Sequence, residues 1–310
     1  MTRSWWPSGR AGRIGIDLGT DVLAAIACTS DGTIDARIEL PRRDPRGPIA
    51  GEVPRLVRAM ARRGFRPAPV VVVPPEADTV VAELSLPSAA SGAPLDEIVR
   101  EQLGRMRQTD PSALDVAWWS TQRTAQTNGQ PSPTTSTASA PLRSLGVGML
   151  RTAAESIAAA FDHVGLDVDV LDLRSLALAR AAAGIACDGI EVVLDLVGPA
   201  PIVVVLDAGA VSYVRRLASP DAVGGRGGFA LESFAADVRL TLGYLVHRHP
   251  GRRVERLLAL ADPPLFEAVR EAIAEALALE TVAVADAIGR GLSARSVIAL
   301  GAALREGVDE

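Results

Sequence analysis

Apolar and polar positions fall into the same order twice along this chain. Ile14-Gly15-Ile16-Asp17-Leu18-Gly19-Thr20 leads into an apolar run over residues 22–27, turns at Asp31-Gly32 and resumes from Thr33 to Arg37. Far downstream, Val192-Val193-Leu194-Asp195-Leu196-Val197-Gly198 leads into residues 202–205, turns at Asp207-Ala208-Gly209 and resumes from Val211 to Arg215. Arg37 and Arg215 each fall twenty residues beyond their acid, Asp17 or Asp195. β-Branched runs bounded by Asp-Gly or Gly turns predict a strand, a hairpin and a further strand in each stretch. The shared spacing predicts an internal duplication.

Between and after these copies the apolar period changes. Val53, Leu56, Val57 and Met60 recur at three and four, predicting a helix over 49–63. A short buried strand is expected at 69–74, a strand at 79–86, a helix at 96–107 with Ile98, Val99, Leu103 and Met106 on one side, and a strand at 114–119. Residues 121–140, rich in Thr, Ser, Gln and Pro, have almost nothing to bury and are expected to form a mobile loop. A strand at 145–150, a helix at 152–164 stopped by Gly165, a strand at 168–171 and a helix at 175–183 complete the first part. After the second hairpin come the run Gly224-Gly225-Arg226-Gly227-Gly228, a helix carrying Leu231, Phe234, Val238, Leu242 and Leu245, and a buried strand at 257–260. Asp262 is the expected N-cap of the next helix, with Pro263 at its first position and Leu265, Val269, Ile273 and Leu277 as its stripe. A short strand at 281–285 and a helix at 293–305 end an α/β pattern.

At 310 residues the chain exceeds one ordinary core, so two domains are expected. A hydrophobic content of 48% and a mean hydropathy of +0.21 indicate a well-buried interior. Net charge of -5 excludes a broad basic surface for nucleic acid, and Arg55, Arg58, Arg62, Arg63 and Arg66 read as one solvated helix face. Cys28 and Cys187 sit in apolar stretches, which argues against a disulfide framework or metal site and for a reducing compartment. The N-terminus has no secretory leader pattern, and Trp5-Trp6 reads as part of a frayed end. The apolar run over 190–211 contains Asp195 and Asp207, each costing roughly 2.5–3.5 kcal/mol in a bilayer, so strands are expected there. His247 and His249, two apart, face different sides of a helix and make no metal pair, and the 224–228 glycines lack the Lys-Ser or Lys-Thr of a P-loop.

The order of short motifs resembles the type IV pilus assembly protein PilM family of the actin superfold, related to FtsA and to the cytoplasmic region of the type II secretion protein GspL. The similar pieces are Ile16-Asp17-Leu18-Gly19-Thr20, Leu84-Ser85-Leu86-Pro87 and Leu114-Asp115-Val116. His163-Val164-Gly165-Leu166 with Asp172, Leu176-Ala177-Leu178-Ala179-Arg180, Val214-Arg215-Arg216 and Ala299-Leu300-Gly301-Ala302-Ala303-Leu304-Arg305 continue the series. The resemblance implies an actin-like (ribonuclease-H-like) duplicated α/β fold. Residues 11–78 and 151–185 would form the first domain and its connection, 79–150 a small inserted subdomain, and 186–305 a reduced second domain. It further implies a cytoplasmic scaffold, peripheral to the inner membrane, that binds the cytoplasmic N-terminal tail of a single-span pilus or secretion protein. Trp118 and Trp119, on opposite sides of one strand, are candidate partner contacts.

The same resemblance makes Asp17, Gly19, Thr20, Asp195 and Gly198 the candidate site for ATP or ADP with magnesium. Asp17-Leu18-Gly19-Thr20 keeps the acid, the close-approach glycine and the hydroxyl. In the second copy Val197 stands where the family has glycine, Gly198 is one residue late and Pro199 lacks an amide donor. Ala261-Asp262-Pro263-Pro264 stands where a Gly-Gly loop would pass the adenine and ribose. Phosphoryl transfer depends on positioning and electrostatics acting together, so the expected protein is a degenerate ATPase with no catalytic residues. The alternative is an active ATPase or small-molecule kinase of the superfold. A membrane-tethered filament former of the FtsA type is disfavoured by the acidic tail Glu306-Gly307-Val308-Asp309-Glu310.

Overall fold

The computed structural model describes residues 12–88, 91–121, 141–185, 189–198, 200–217, 231–248, 253–289 and 291–305. The expected loop beyond Thr121, the Trp5-Trp6 pair, Cys187, Pro199, the 224–228 glycine run, His249 and the tail from Glu306 lie outside the described residues.

The repeated sequence pattern folds into the same sheet twice. In the first, β1 (Arg13–Leu18), β2 (Val22–Cys28) and β3 (Ile34–Pro41) form an antiparallel meander. Parallel strands β4 (Val70–Val73) and β8 (Val168–Leu171) extend it beyond β1, giving the order β3-β2-β1-β4-β8. The second has β9 (Ile190–Asp195), β10 (Ile202–Asp207) and β11 (Ala210–Arg216) as its meander, then parallel β12 (Val254–Leu260) and β13 (Glu280–Ala283), in the order β11-β10-β9-β12-β13. Even the acids share a register: Asp17 lies between Ala24 and Val73, and Asp195 between Ile202 and Leu260.

Strand alternation then sorts side chains into layers. Ile14, Ile16, Leu18, Val70 and Val72 pack outward against Leu56 and Met60 of α1 (Val53–Arg62) and Ile157 and Phe161 of α3 (Arg151–Asp162). The second sheet does the same, with Val192, Leu194, Val203 and Val205 against Phe234 and Val238 of α5 (Leu231–Arg248) and Val269 and Ile273 of α6 (Pro263–Leu277). Two helices fill the space between the sheets. Ala177, Leu178 and Ala181 of α4 (Arg174–Ala183) meet Val297, Ile298 and Ala302 of α8 (Ala294–Ala303), with Val71 and Val73 on one side and Val193, Val204 and Leu258 on the other. Their approach is close. A Cβ on Gly301 would overlap the carbonyl of Ala177, and one on Gly15 would overlap the carbonyl of Ala299.

The small unit is an antiparallel sheet, β5 (Thr79–Leu86), β7 (Leu142–Leu150) and β6 (Leu114–Ser120), in the order β5-β7-β6. Val99 and Leu103 of α2 (Leu95–Arg107) cover its Leu84, Leu86 and Leu114. Several expected boundaries move. β7 and β12 each begin three residues before the strands expected at 145–150 and 257–260, and α1 begins at Val53 and not at residue 49. The strand predicted over 281–285 ends at Ala283, where Val284 opens the short helix α7 (Val284–Ile288). Val284 is fully buried in the core beside α4 and α8, so packing decides a segment without a turn residue. No helix among the described residues is long and apolar enough to cross a membrane.

Candidate functional site

The two copies of the strand-end acid come together at the junction of the sheets. Asp17 is the last residue but one of β1 and Asp195 the last of β9, and both are buried. Gly19 and Thr20 form the tight connection from β1 to β2, where a Cβ on Gly19 would stand 2.5 Å from the Val22 carbonyl oxygen. Asp17, Gly19, Thr20 and Gly198 all line one cleft, with Pro74, Pro75, Glu76, Arg174 and Arg295.

What occupies the space between the acids is a guanidinium. Arg174, the first residue of α4, donates to Asp195 through Nε at 2.5 Å and Nη2 at 3.2 Å, and to Asp17 through Nη1 at 3.1 Å. A two-pronged pair of this kind suits the planar donor fork of arginine. Burial works against the Arg174 charge, but Asp195 and Asp17 outweigh it and hold its pKa above the ordinary arginine range. Asp17 receives a single hydrogen bond from this fork, and burial pushes its pKa up to about 6, partly opposed by Arg174 and reinforced by Asp195.

Two more arginines complete the junction. Arg295 of α8 donates to Asp21 in the β1–β2 connection and reaches Asp262 Oδ2 at 3.4 Å. Asp262 does sit at the N-cap of α6 with Pro263 at the first turn, but its side chain makes no capping hydrogen bond and faces Arg295. Glu76 is buried beside the Arg174 fork. Arg216 of β11 stands 2.6 Å from Glu76 Oε1, in an ion pair that misses hydrogen-bond angles, and Oε2 meets no donor among the described residues. Burial raises the Glu76 pKa, with Arg216 opposing.

Among the described residues this cleft leaves little room for a magnesium nucleotide. The free space in the cleft is ≈ 20 Å³, enough for about one water molecule. The amide of Val197, in the second candidate phosphate loop, already donates to Asp195 Oδ1 at 3.1 Å, and that of Leu196 to the Leu260 carbonyl at 2.8 Å. Among the described residues no group of three or more His, Cys, Asp or Glu side chains is arranged to hold a metal ion.

Trp118 and Trp119 point to opposite faces of β6, and both are half-buried. Trp118 packs with Val116 and Leu114 toward α2 and donates its indole N–H to Asp96 Oδ1 at 2.8 Å. Trp119 packs against the central core and borders a hollow of ≈ 300 Å³ with Leu176, Ala210 and Val211. Arg174, Arg295 and Glu76 lie outside the motifs that the sequence displays. The available signal was Arg174 itself, an always-charged residue at the head of an Ala- and Leu-rich helix whose burial demands a carboxylate partner.

No protein-family model matches this sequence, and no curated protein aligns with it significantly. Solved structures do. A chain of the "PilM-PilN type IV pilus biogenesis complex" superposes with a TM-score of 0.71 at 14% identity, over 96% of this chain and 98% of that one. A protein of unknown function with an actin-like ATPase fold from Bacteroides thetaiotaomicron superposes with a TM-score of 0.54 at 7% identity, over 88% and 91% of the two chains. The fold of this chain is therefore actin-like.

Proposed function

We infer that this chain is a nucleotide-independent actin-like scaffold of a type IV pilus or type II secretion platform. In this reading it is cytoplasmic and docks to the inner membrane by binding the cytoplasmic tail of a single-span protein. The observation that carries the loss of nucleotide chemistry is the Arg174 fork seated between Asp17 and Asp195, in a cleft with ≈ 20 Å³ of free space. The partner assignment is supported by the full-length likeness to a chain of a complex of PilM with PilN, and by motifs in the same order.

Thermal unfolding with and without millimolar MgATP tests the first part. A ligand present at a hundred times its dissociation constant adds roughly 2.7 kcal/mol of stability. No shift is expected. A shift that Asp17→Ala abolishes would establish the alternative, a working ATPase or small-molecule kinase. The second part is tested by fluorescence anisotropy with synthetic N-terminal tails of single-span membrane proteins encoded by neighbouring genes. Saturable binding that is indifferent to MgATP is expected, and failure of every such tail to bind sinks the scaffold reading.

A further inference from the structure

Asp17, Asp195 and Glu76 are all buried at the junction of the two sheets. Ionised carboxylates taken out of water need a compensating cation, or they take up a proton. A hard divalent ion bound through oxygen is one solution. A guanidinium with its fork of donors is the other. Arg174 supplies the second to Asp17 and Asp195, with the three hydrogen bonds that join it to both strand ends. Because it belongs to α4, held by α8 and the second sheet, this cation cannot dissociate.

We propose that Arg174 is a permanent substitute for a dissociable divalent cation, bridging the ends of β1 and β9 so that the two halves stay closed with neither metal nor nucleotide bound. Arg295 adds an independent span, from Asp21 in the first half to Asp262 in the second. Closure here is set by covalently attached charges and has no ligand to lose. The proposal stands on the junction alone and does not require the partner reading above.

The test is thermal unfolding of the purified chain at about pH 8, where Asp17 is ionised. Millimolar MgCl2 or MnCl2 is compared with NaCl at matched ionic strength, and Mn²⁺ uptake is monitored by electron paramagnetic resonance. The wild-type chain should neither bind Mn²⁺ at this site nor shift with either ion or with EDTA. Arg174→Ala leaves the carboxylates facing one another, so it should unfold at a lower temperature, take up Mn²⁺ and recover part of the lost stability. A variant as stable as wild type, or one that no divalent ion restores, overturns the proposal. Should Arg174→Ala fail to fold, Arg174→Gln is compared with the neutral triple variant Asp17→Asn/Arg174→Gln/Asp195→Asn. The triple should be the more stable of the two, because uncompensated charge and not lost shape is what the single change creates. A triple no better than Arg174→Gln refutes the idea.

Discussion

At the scale of single residues, the unequal sharing of Arg174 has a consequence that can be measured. Asp195 takes two of its hydrogen bonds and Asp17 one. Burial therefore dominates at Asp17, and its pKa rises from 3.8 to about 6. A carboxyl whose folded pKa is raised binds more protons folded than unfolded between those values, so its contribution favours the fold at low pH and is lost as pH rises through about 6. At 1.36 kcal/mol per unit the swing is about 3 kcal/mol. Asp17→Asn removes it. Urea unfolding of the two proteins from about pH 4 to pH 8 should show the variant gaining on wild type by roughly 2–3 kcal/mol across that window, and a pH-independent difference would contradict the assignment. Both acids were legible in the sequence, because each ends an apolar run in a repeated pattern. Arg174 was not: it lies more than a hundred and fifty positions from Asp17, and pairing between distant charges leaves no local period or spacing.

Secondary structure was legible where a period and a punctuation residue agree. Gly165 ends the segment after α3 with φ 76°, and Pro263 opens α6. Ser293 caps α8, accepting from the Ser296 amide at 3.2 Å while donating to Glu39 on β3. Ser293→Ala should cost about 1 kcal/mol in chemical unfolding. What sequence could not provide was the depth at which α8 lies. Its segment reads as a run of Ala, Leu and Ile with one tolerated glycine, yet Gly301 is the point where its backbone meets that of α4. Backbone cannot step aside as a side chain can, so Gly301→Ala forces the helices apart. The expected loss is about 3 kcal/mol or more, at the upper end for overpacking, although alanine is the better helix former by nearly 1 kcal/mol. Equal or higher stability of Gly301→Ala would mean that α4 and α8 do not cross as described.

Across the whole molecule, arginine–carboxylate pairs tie the chain before α4 to α4 itself or to elements beyond β9, among them Arg174 with Asp17, Arg295 with Asp21, Arg216 with Glu76 and Arg248 with Glu83. The pair of Arg248 with Glu83 also decides how the small sheet is held. Arg248, at the end of α5, has a side chain only 5% exposed. It donates to Glu83 of β5, to Thr121 Oγ1 at 3.2 Å and to the Ser212 carbonyl at 3.4 Å, and lies 5.8 Å from the ring centroids of both Tyr213 and Tyr244. Tyr244 donates its hydroxyl to the other Glu83 oxygen at 3.0 Å. Removing one partner of a buried pair costs about 3–5 kcal/mol, and partial exposure of Glu83 reduces that here to about 2 kcal/mol. The loss should also be local, because β1 and β9 are joined by Arg174 and do not depend on Arg248. In Arg248→Ala, amide hydrogen exchange should therefore accelerate in β5, β6 and β7 while β1 and β9 keep their protection. Arg248→Lys should behave nearly as badly, since one ammonium cannot reproduce a fork that serves Glu83, Thr121 and Ser212 together. Uniform acceleration through both large sheets would mean that the small unit is not separately attached, and that the closure of this fold is one cooperative event.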